Sequence, residues 1–377
     1  MTANDLPTPF YIIYEDRLRA NLELIREVSR RSGADIIMAF KANALWRTFD
    51  IVKEYCNNCT ASSLNELYLG RECLGGEIHS YSPAYTDNNI GEFLSYSTHI
   101  TFNSLNQYSR YGGRAAAAGV SVGLRVNPKC SVIDTDLYNP ALPGSRFGIN
   151  AEELAGGLPE FVEGLHFHAL CESSSHDLEK VLGAFEEKFG HLLPQLKWVN
   201  MGGGHLITRK DYDREHLIEL LQDFRHRHPN LRVILEPGSA FTWQTGDLVA
   251  SVVDTVEDGG IPTAILDVSF ACHMPDTLEM PYLPEVAESI DPAHSTGIPW
   301  RLGGNSCLSG DFKGDYYFPK SPAVGDRITL KDMNHYTTVK TTMFNGIQHP
   351  DIIVLTSDGN LRYLRKFDYE DYKNRMS

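Results

Sequence analysis

The sequence predicts a (β/α)8 TIM-type barrel over residues 15–240, followed by an all-β domain over residues 241–377 that also takes the N-terminal strand 1–14. Three observations carry this reading. Between residue 35 and about residue 240, eight short β-rich runs alternate with helical patterns, the signature of parallel strands joined by right-handed crossovers. Eight such units in roughly 200 residues is the arithmetic of a closed barrel. Beyond about residue 240, Gly, Pro and Thr become frequent and helical patterns nearly vanish.

The strands expected in the barrel are Asp35–Phe40, Cys59–Ser63, Glu77–Tyr81, His99–Asn103, Val120–Val126, Gly164–Ala169, Trp198–Met201 and Arg232–Glu236. Amphipathic stretches lie between them, among them Leu64–Leu74, Leu105–Gly119, Asp177–Leu193 and Tyr212–His228. In the second domain Asp247–Val256, Thr263–Val268, Arg327–Lys331 and Ile352–Thr356 read as antiparallel strands. The opening TPFYIIY is also strand-like and is expected to pair with that domain. The long loop Pro128–Gly144 is a candidate mobile segment, because structureless loops of that length are usually functional or disordered.

Composition limits the partners. The 377 residues hold 42% hydrophobic and 10% aromatic side chains, enough for packed cores and against a disordered, collagen-like or coiled-coil chain. With 49 acidic against 34 basic side chains the formal charge is −15. Such a surface repels nucleic acid and anionic membrane, and it attracts a cationic small molecule. No run approaches the ~18 apolar residues of a membrane helix, and the opening residues lack the basic and apolar regions of a secretory signal. Seven scattered cysteines suit a reducing cytoplasm. Cys56 and Cys59 form one CxxC without a second pair, and they read as ordinary thiols.

In such a barrel the active site collects at the C-terminal ends of the strands. Lys41, Arg125, His168, the triplet Gly202-Gly203-Gly204 and Glu236 all stand there. Each residue type has a task around pyridoxal phosphate. A lysine at the end of a buried strand is costly to desolvate, and a Schiff base removes that cost. Consecutive glycines let backbone N–H groups approach a phosphate. A carboxylate opposite the pyridine nitrogen keeps it protonated, which makes the ring an electron sink. A histidine can stack on the flat ring. Taken singly, each has a plainer reading: a lysine snorkelling to the rim, a glycine turn, a helix-capping carboxylate, a core histidine.

Together the motifs TPFY at 8–11, AFKAN at 39–43, LRV at 124–126, SRFGI at 145–149, HFHA at 166–169, GGG at 202–204, EPG at 236–238, CLSGD at 307–311, Tyr336 and FNG at 344–346 resemble the fold-type III pyridoxal-phosphate decarboxylases. That family includes the ornithine, arginine and diaminopimelate decarboxylases and, more distantly, alanine racemase. The resemblance implies pyridoxal phosphate as cofactor, with Lys41 as the Schiff-base lysine and His168 against the ring. It places Gly202, Gly203, Gly204 and Tyr336 at the phosphate, Arg125 near the phenolic side and Glu236 at the pyridine nitrogen. It also implies a homodimer with shared active sites, into which Cys307 and Asp311 reach from the neighbouring subunit.

Departures narrow the substrate. EPG continues with Ser239, where ornithine and diaminopimelate decarboxylases typically carry arginine, and the usual HxGS is here His168-Ala169-Leu170-Cys171. CESSSHDLE, NMGGGHLITR, ILEPGSAFTWQTG and LGGNSCLSGD are similar to the carboxynorspermidine/carboxyspermidine decarboxylase branch. The resemblance therefore implies a cationic carboxy-triamine substrate, decarboxylated to norspermidine or spermidine. A buried ammonium needs a paired carboxylate. Asp311 leads the candidates, with Asp276 and Glu279 further ones and His273 a possible hydrogen-bond partner. Cys307 or Lys41 would protonate Cα. Other readings are a diaminopimelate or basic amino-acid decarboxylase and a noncatalytic pyridoxal-phosphate homeostasis protein, which usually lacks the second domain. A racemase is disfavoured by Glu236. A metal-dependent hydrolase would need more His and Asp at strand ends, so no metal is expected.

Overall fold

In the computed structural model, which describes residues 3–280 and 282–377, the chain forms two compact units, Arg19–Phe241 and Met1–Leu18 with Thr242–Ser377. Met1 and Thr2, which open the stretch read for a secretory signal, and Pro281 lie outside the described residues. Among the described residues no helix is long and apolar enough to cross a membrane.

Strand β1 (Phe10–Tyr14) belongs to the sheet unit. The barrel is built from β2 (Asp35–Ile36), β3 (Met38–Ala39), β4 (Cys59–Ala61), β5 (Ile78–Tyr81), β6 (His99–Phe102), β7 (Ser121–Arg125), β8 (Val162–His166), β9 (Trp198–Asn200) and β10 (Arg232–Leu235). All pair in parallel, in the order β2-β10-β9-β8-β7-β6-β5-β4-β3. The first predicted strand is therefore split. Residues before Ile37 pair with β10 and those after it pair with β4, so one run closes the barrel by serving both neighbours.

Alternation along the strands fills the barrel in layers. Trp198 occupies one layer. A Cβ at Gly164 would sit inside its indole, so the strand beside it must carry glycine there. The indole Nε1 donates to Ser121 Oγ at 2.9 Å, and the stacked rings of His79 and His99 meet it edge-on. One step further along the same strands, Arg125, His166 and Asn200 stand in register.

The helices between strands are capped as their sequences require. Ser63, Ser104, Ser174 and Asp213 accept the backbone N–H of the third helical residue at the start of Leu64–Cys73, Leu105–Ala117, Ser175–Phe189 and Arg214–Arg227. The loop expected to be mobile, 128–144, is braced: Asn127 Nδ2 donates to the carbonyls of Pro140 and Phe147, and a short 3-10 turn spans Asp136–Tyr138.

The sheet unit contains β11 (Gly246–Val256), β12 (Thr263–Leu266), β13 (Trp300–Gly303), β14 (Phe312–Tyr316), β15 (Arg327–Leu330), β16 (Asp351–Leu355) and β17 (Leu361–Arg365). With β1 they form an eight-stranded sheet in the order β14-β13-β12-β11-β1-β16-β17, with β15 also on β11. The expected pairing of the N-terminal strand with this sheet is found, antiparallel to β11 and parallel to β16. The all-antiparallel expectation needs correction, since β12 and β13 are also parallel. Parallel neighbours require a long connection, and the one between Leu266 and Trp300 supplies it. β13, β14 and β17 were not predicted. β14 (FKGDY) and β17 (LRYLR) carry too few apolar residues to show a buried face.

Candidate active site

Period-two alternation brings the predicted barrel residues together. Lys41 Nζ lies 3.5 Å from His168 Nε2, and the opposite ring nitrogen, Nδ1, accepts the Gly203 N–H at 2.8 Å. Arg125 Nη2 donates to the His168 carbonyl at 3.2 Å. Its guanidinium is held between the rings of Tyr81 and Phe147, 4.7 and 4.4 Å from their centres. Glu236 lies just past β10, where its Oε1 is 3.1 Å from His166 Nε2 and its Oε2 accepts from Asn200 Nδ2 at 3.0 Å.

The electrostatics follow from burial and these partners. Burial would raise the pKa of Glu236, but His166, Lys41 and Asn200 outweigh it and hold the carboxyl down at about 2. Glu236 is thus a buried anion, and no Lys or Arg forms an ion pair with it among the described residues. Burial lowers the pKa of Lys41, with Arg125 adding to the effect and Glu236 opposing it. His168 is pushed well below its ordinary value, first by burial and then by Lys41 and Arg125.

The glycine triplet does more than open the backbone. Gly202 N–H donates to Asn200 Oδ1 at 2.8 Å, and Gly203 N–H holds His168. Gly202 and Gly204 have φ of +73° and +90°, and a Cβ on any of the three would collide with a neighbouring carbonyl. The expectation that these amides simply face a phosphate is corrected for Gly202 and Gly203, whose N–H groups are committed to site side chains.

Sequence reading passed over His166, Asn200 and Tyr81. The HxH alternation of HFHA held a signal for His166, since both imidazoles fall on one strand face. Asn200 and Tyr81 had none, because their role comes from cross-strand register.

The remaining candidates belong to the sheet unit. Cys307 is exposed, and its backbone N–H donates to Asn345 Oδ1 at 2.8 Å, joining the CLSGD and FNG motifs. Tyr336 adopts φ of +53° in a loop after β15. Asp311 is buried, with its two oxygens accepting the N–H groups of Ala271 at 3.0 Å and Ser306 at 3.1 Å, so it braces its own loop. Asp276 and Glu279 occupy one turn of helix and both pair with Lys340. Lys340 thus already pairs with both of these candidate carboxylates. The His273 side chain is wholly buried, its Nδ1 accepts the Ser269 N–H, its Nε2 has no hydrogen-bond partner among the described residues, and burial lowers its pKa to about 3.

The donor set fits pyridoxal phosphate. A buried lysine amine stands beside a pinned imidazole, and a buried ionised carboxylate has no Lys or Arg ion-pair partner among the described residues, as a protonated pyridine nitrogen requires. Comparison with known proteins agrees. Residues 11–334 match the model of the pyridoxal-dependent decarboxylase family described by its C-terminal sheet domain. A carboxyaminopropylagmatine decarboxylase of Synechocystis sp. is 45% identical over 99% of this chain and 96% of its own length. A carboxynorspermidine/carboxyspermidine decarboxylase of Campylobacter jejuni is 45% identical over 98% of both chains. The crystal structure of Campylobacter jejuni carboxynorspermidine decarboxylase complexed with norspermidine superposes with a TM-score of 0.90 at 44% identity, covering 98% of this chain and 100% of that one. A barrel that pins a lysine, a histidine and an ionised glutamate as this one does, on a chain matched end to end by such enzymes, belongs to the pyridoxal-dependent decarboxylases.

Proposed function

We propose that this enzyme removes the α-carboxylate of carboxynorspermidine, carboxyspermidine or both, releasing norspermidine or spermidine in polyamine biosynthesis. The observation that carries the chemistry is the buried, ionised Glu236 on the same barrel face as Lys41 and His168. Similarity to the Campylobacter jejuni enzyme over the full length supports the substrate class.

Pyridoxal phosphate, when bound, supplies a protonated ring that accepts the electron pair left by departing carbon dioxide. This chain's residues arrange the rest. Lys41, its pKa lowered by burial, offers an amine nucleophile, and His168 presents a ring face that the Gly203 amide fixes. Glu236 holds a proton opposite itself by remaining ionised. Arg125, wedged between Tyr81 and Phe147, places a positive charge beside the His168 backbone. By family likeness, Gly204 and Tyr336 are assigned to the phosphate. Cys307 or Lys41 is assigned to Cα protonation, and Asp311 to a distal ammonium group, with Asp276 and Glu279 as further candidates there. A cytoplasmic homodimer with shared sites completes the reading.

A second substrate is favoured by one observation. The Synechocystis relative, equally 45% identical, is named for carboxyaminopropylagmatine, which ends in a guanidinium. The test is carbon dioxide release from carboxynorspermidine, carboxyspermidine, carboxyaminopropylagmatine, diaminopimelate and ornithine. Turnover at least tenfold better with the two carboxy-triamines supports the proposal. Preference for carboxyaminopropylagmatine, diaminopimelate or ornithine overturns it. Borohydride should fix the cofactor to the wild type and leave Lys41→Ala unlabelled.

A further inference from the structure

Outside the active site, the outer face of the barrel carries a cluster that the decarboxylation does not use. His176 and Glu179 lie three residues apart near the start of helix Ser175–Phe189, which puts them on one face. Asp213 and His216 begin the neighbouring helix, Arg214–Arg227. His216 Nε2 is 3.4 Å from Glu179 Oε2, and His176 Nε2 is 3.8 Å from Asp213 Oδ2. One donor atom from each of His176, Glu179 and His216 lies within 4.8 Å of the others.

We propose that His176, Glu179 and His216 form a surface site for a zinc-class divalent transition metal that ties these two helices together. Metal bonds of about 2.0–2.1 Å in tetrahedral geometry put ligand atoms about 3.3 Å apart, and the 3.4 Å between His216 Nε2 and Glu179 Oε2 lies close to that edge length. Two imidazoles with one carboxylate, water taking the fourth position, select Zn²⁺, Co²⁺ or Ni²⁺ over Mg²⁺ or Ca²⁺, which prefer oxygen alone. Glu179 also offsets the partial positive charge of its helix N-terminus. Asp213 Oδ2 braces His176 from beside this trio, while its Oδ1 takes the capping bond from the His216 N–H.

One adjustment is needed. The rings of His176 and His216 stack with centres 4.0 Å apart and planes 28° from parallel. Two imidazoles on one metal have centres about 5 Å apart at a metal–nitrogen distance of about 2 Å. The His176 side chain is 56% exposed, so it is free to swing by that ångström. A second cluster, Glu77, His79 and His99, lacks this freedom. Its stacked rings, 3.9 Å apart, are buried against Trp198, and Glu77 pairs with Arg232.

The position gives the metal a structural consequence. Helix Ser175–Phe189 follows the loop that carries His168, and helix Arg214–Arg227 follows the segment after the glycine triplet. These segments are already joined by the Ser173 N–H to the Gly204 carbonyl at 2.8 Å. A metal across the helix starts would fasten the same junction from outside.

The test uses tag-free holoenzyme, dialysed against EDTA and then titrated with zinc chloride and, separately, cobalt chloride. Wild type should bind one equivalent per chain, show the visible absorption of four-coordinate cobalt and unfold at a higher temperature with zinc. His176→Ala and Glu179→Gln should each weaken binding by roughly 10–100-fold or more and lose the zinc-dependent rise, while unfolding at the wild-type temperature in EDTA. Glu179→Gln keeps the test open if His176→Ala proves unstable. Wild type that retains no zinc overturns the proposal, as does zinc binding of unchanged affinity in both variants.

Discussion

His166 Nε2 stands 3.1 Å from Glu236 Oε1, with both side chains buried and Asn200 holding the other carboxylate oxygen. Because Glu236 is ionised it accepts only, so His166 must carry its proton on Nε2. The imidazole thereby keeps the carboxylate charged and aimed. His166→Leu should raise the Glu236 pKa and move the acidic limb of the kcat/KM profile to higher pH, with a loss of about 1–3 kcal/mol in transition-state stabilisation. His166→Gln, which can still donate, should recover most of it. An unshifted pH profile in His166→Leu would show that the pair is only packing.

Acid sensitivity follows from the same buried groups. Glu236 falls from an ordinary 4.5 to about 2, while burial takes His205 from 6.5 to about 4 and His99 to about 3. In each case the folded pKa lies below the unfolded one. The associated stability is therefore complete above the unfolded value and is lost as pH falls through the folded one. Urea midpoints should stay level above pH about 6.5, decline below it as the histidines charge, and fall faster below about 4.5. Glu236→Gln should remove part of that lower segment, and an identical slope in the variant would refute the assignment.

Gly203 has no room for a side chain. Its Cβ would press on the Glu236 carbonyl oxygen and touch His168. Gly203→Ala should cost about 1–3 kcal/mol by overpacking and loosen cofactor retention, since the amide that pins His168 must move. Thermal unfolding and the absorbance retained after dialysis would measure both, and unchanged retention would separate the triplet from the site.

Asp311 accepts one backbone N–H on each oxygen. Asp311→Asn replaces one acceptor with a donor facing a donor, at about 1–3 kcal/mol, so the unfolding temperature should drop. A raised KM with no loss of stability would instead make direct contact with the substrate its main task.

Strand positions were legible because hydrophobic period and helix caps are local properties. Cys59–Ala61, His99–Phe102 and Arg232–Leu235 fall within the predicted runs for that reason. Lys41, His168 and Glu236 were legible because strand ends in a barrel define one face. The amphipathic periods, the glycine triplet and the motif spacing were thus determined by the sequence itself. Tertiary structure alone decided that Ile37 divides the first strand, that the Gly202 and Gly203 amides serve Asn200 and His168, and that Asp276 and Glu279 meet Lys340. Each is a pairing between residues distant in sequence, and no periodicity records which distant group will neutralise a charge or take up a backbone amide. Barrel closure brings those groups within bonding distance, and burial then requires that they be satisfied.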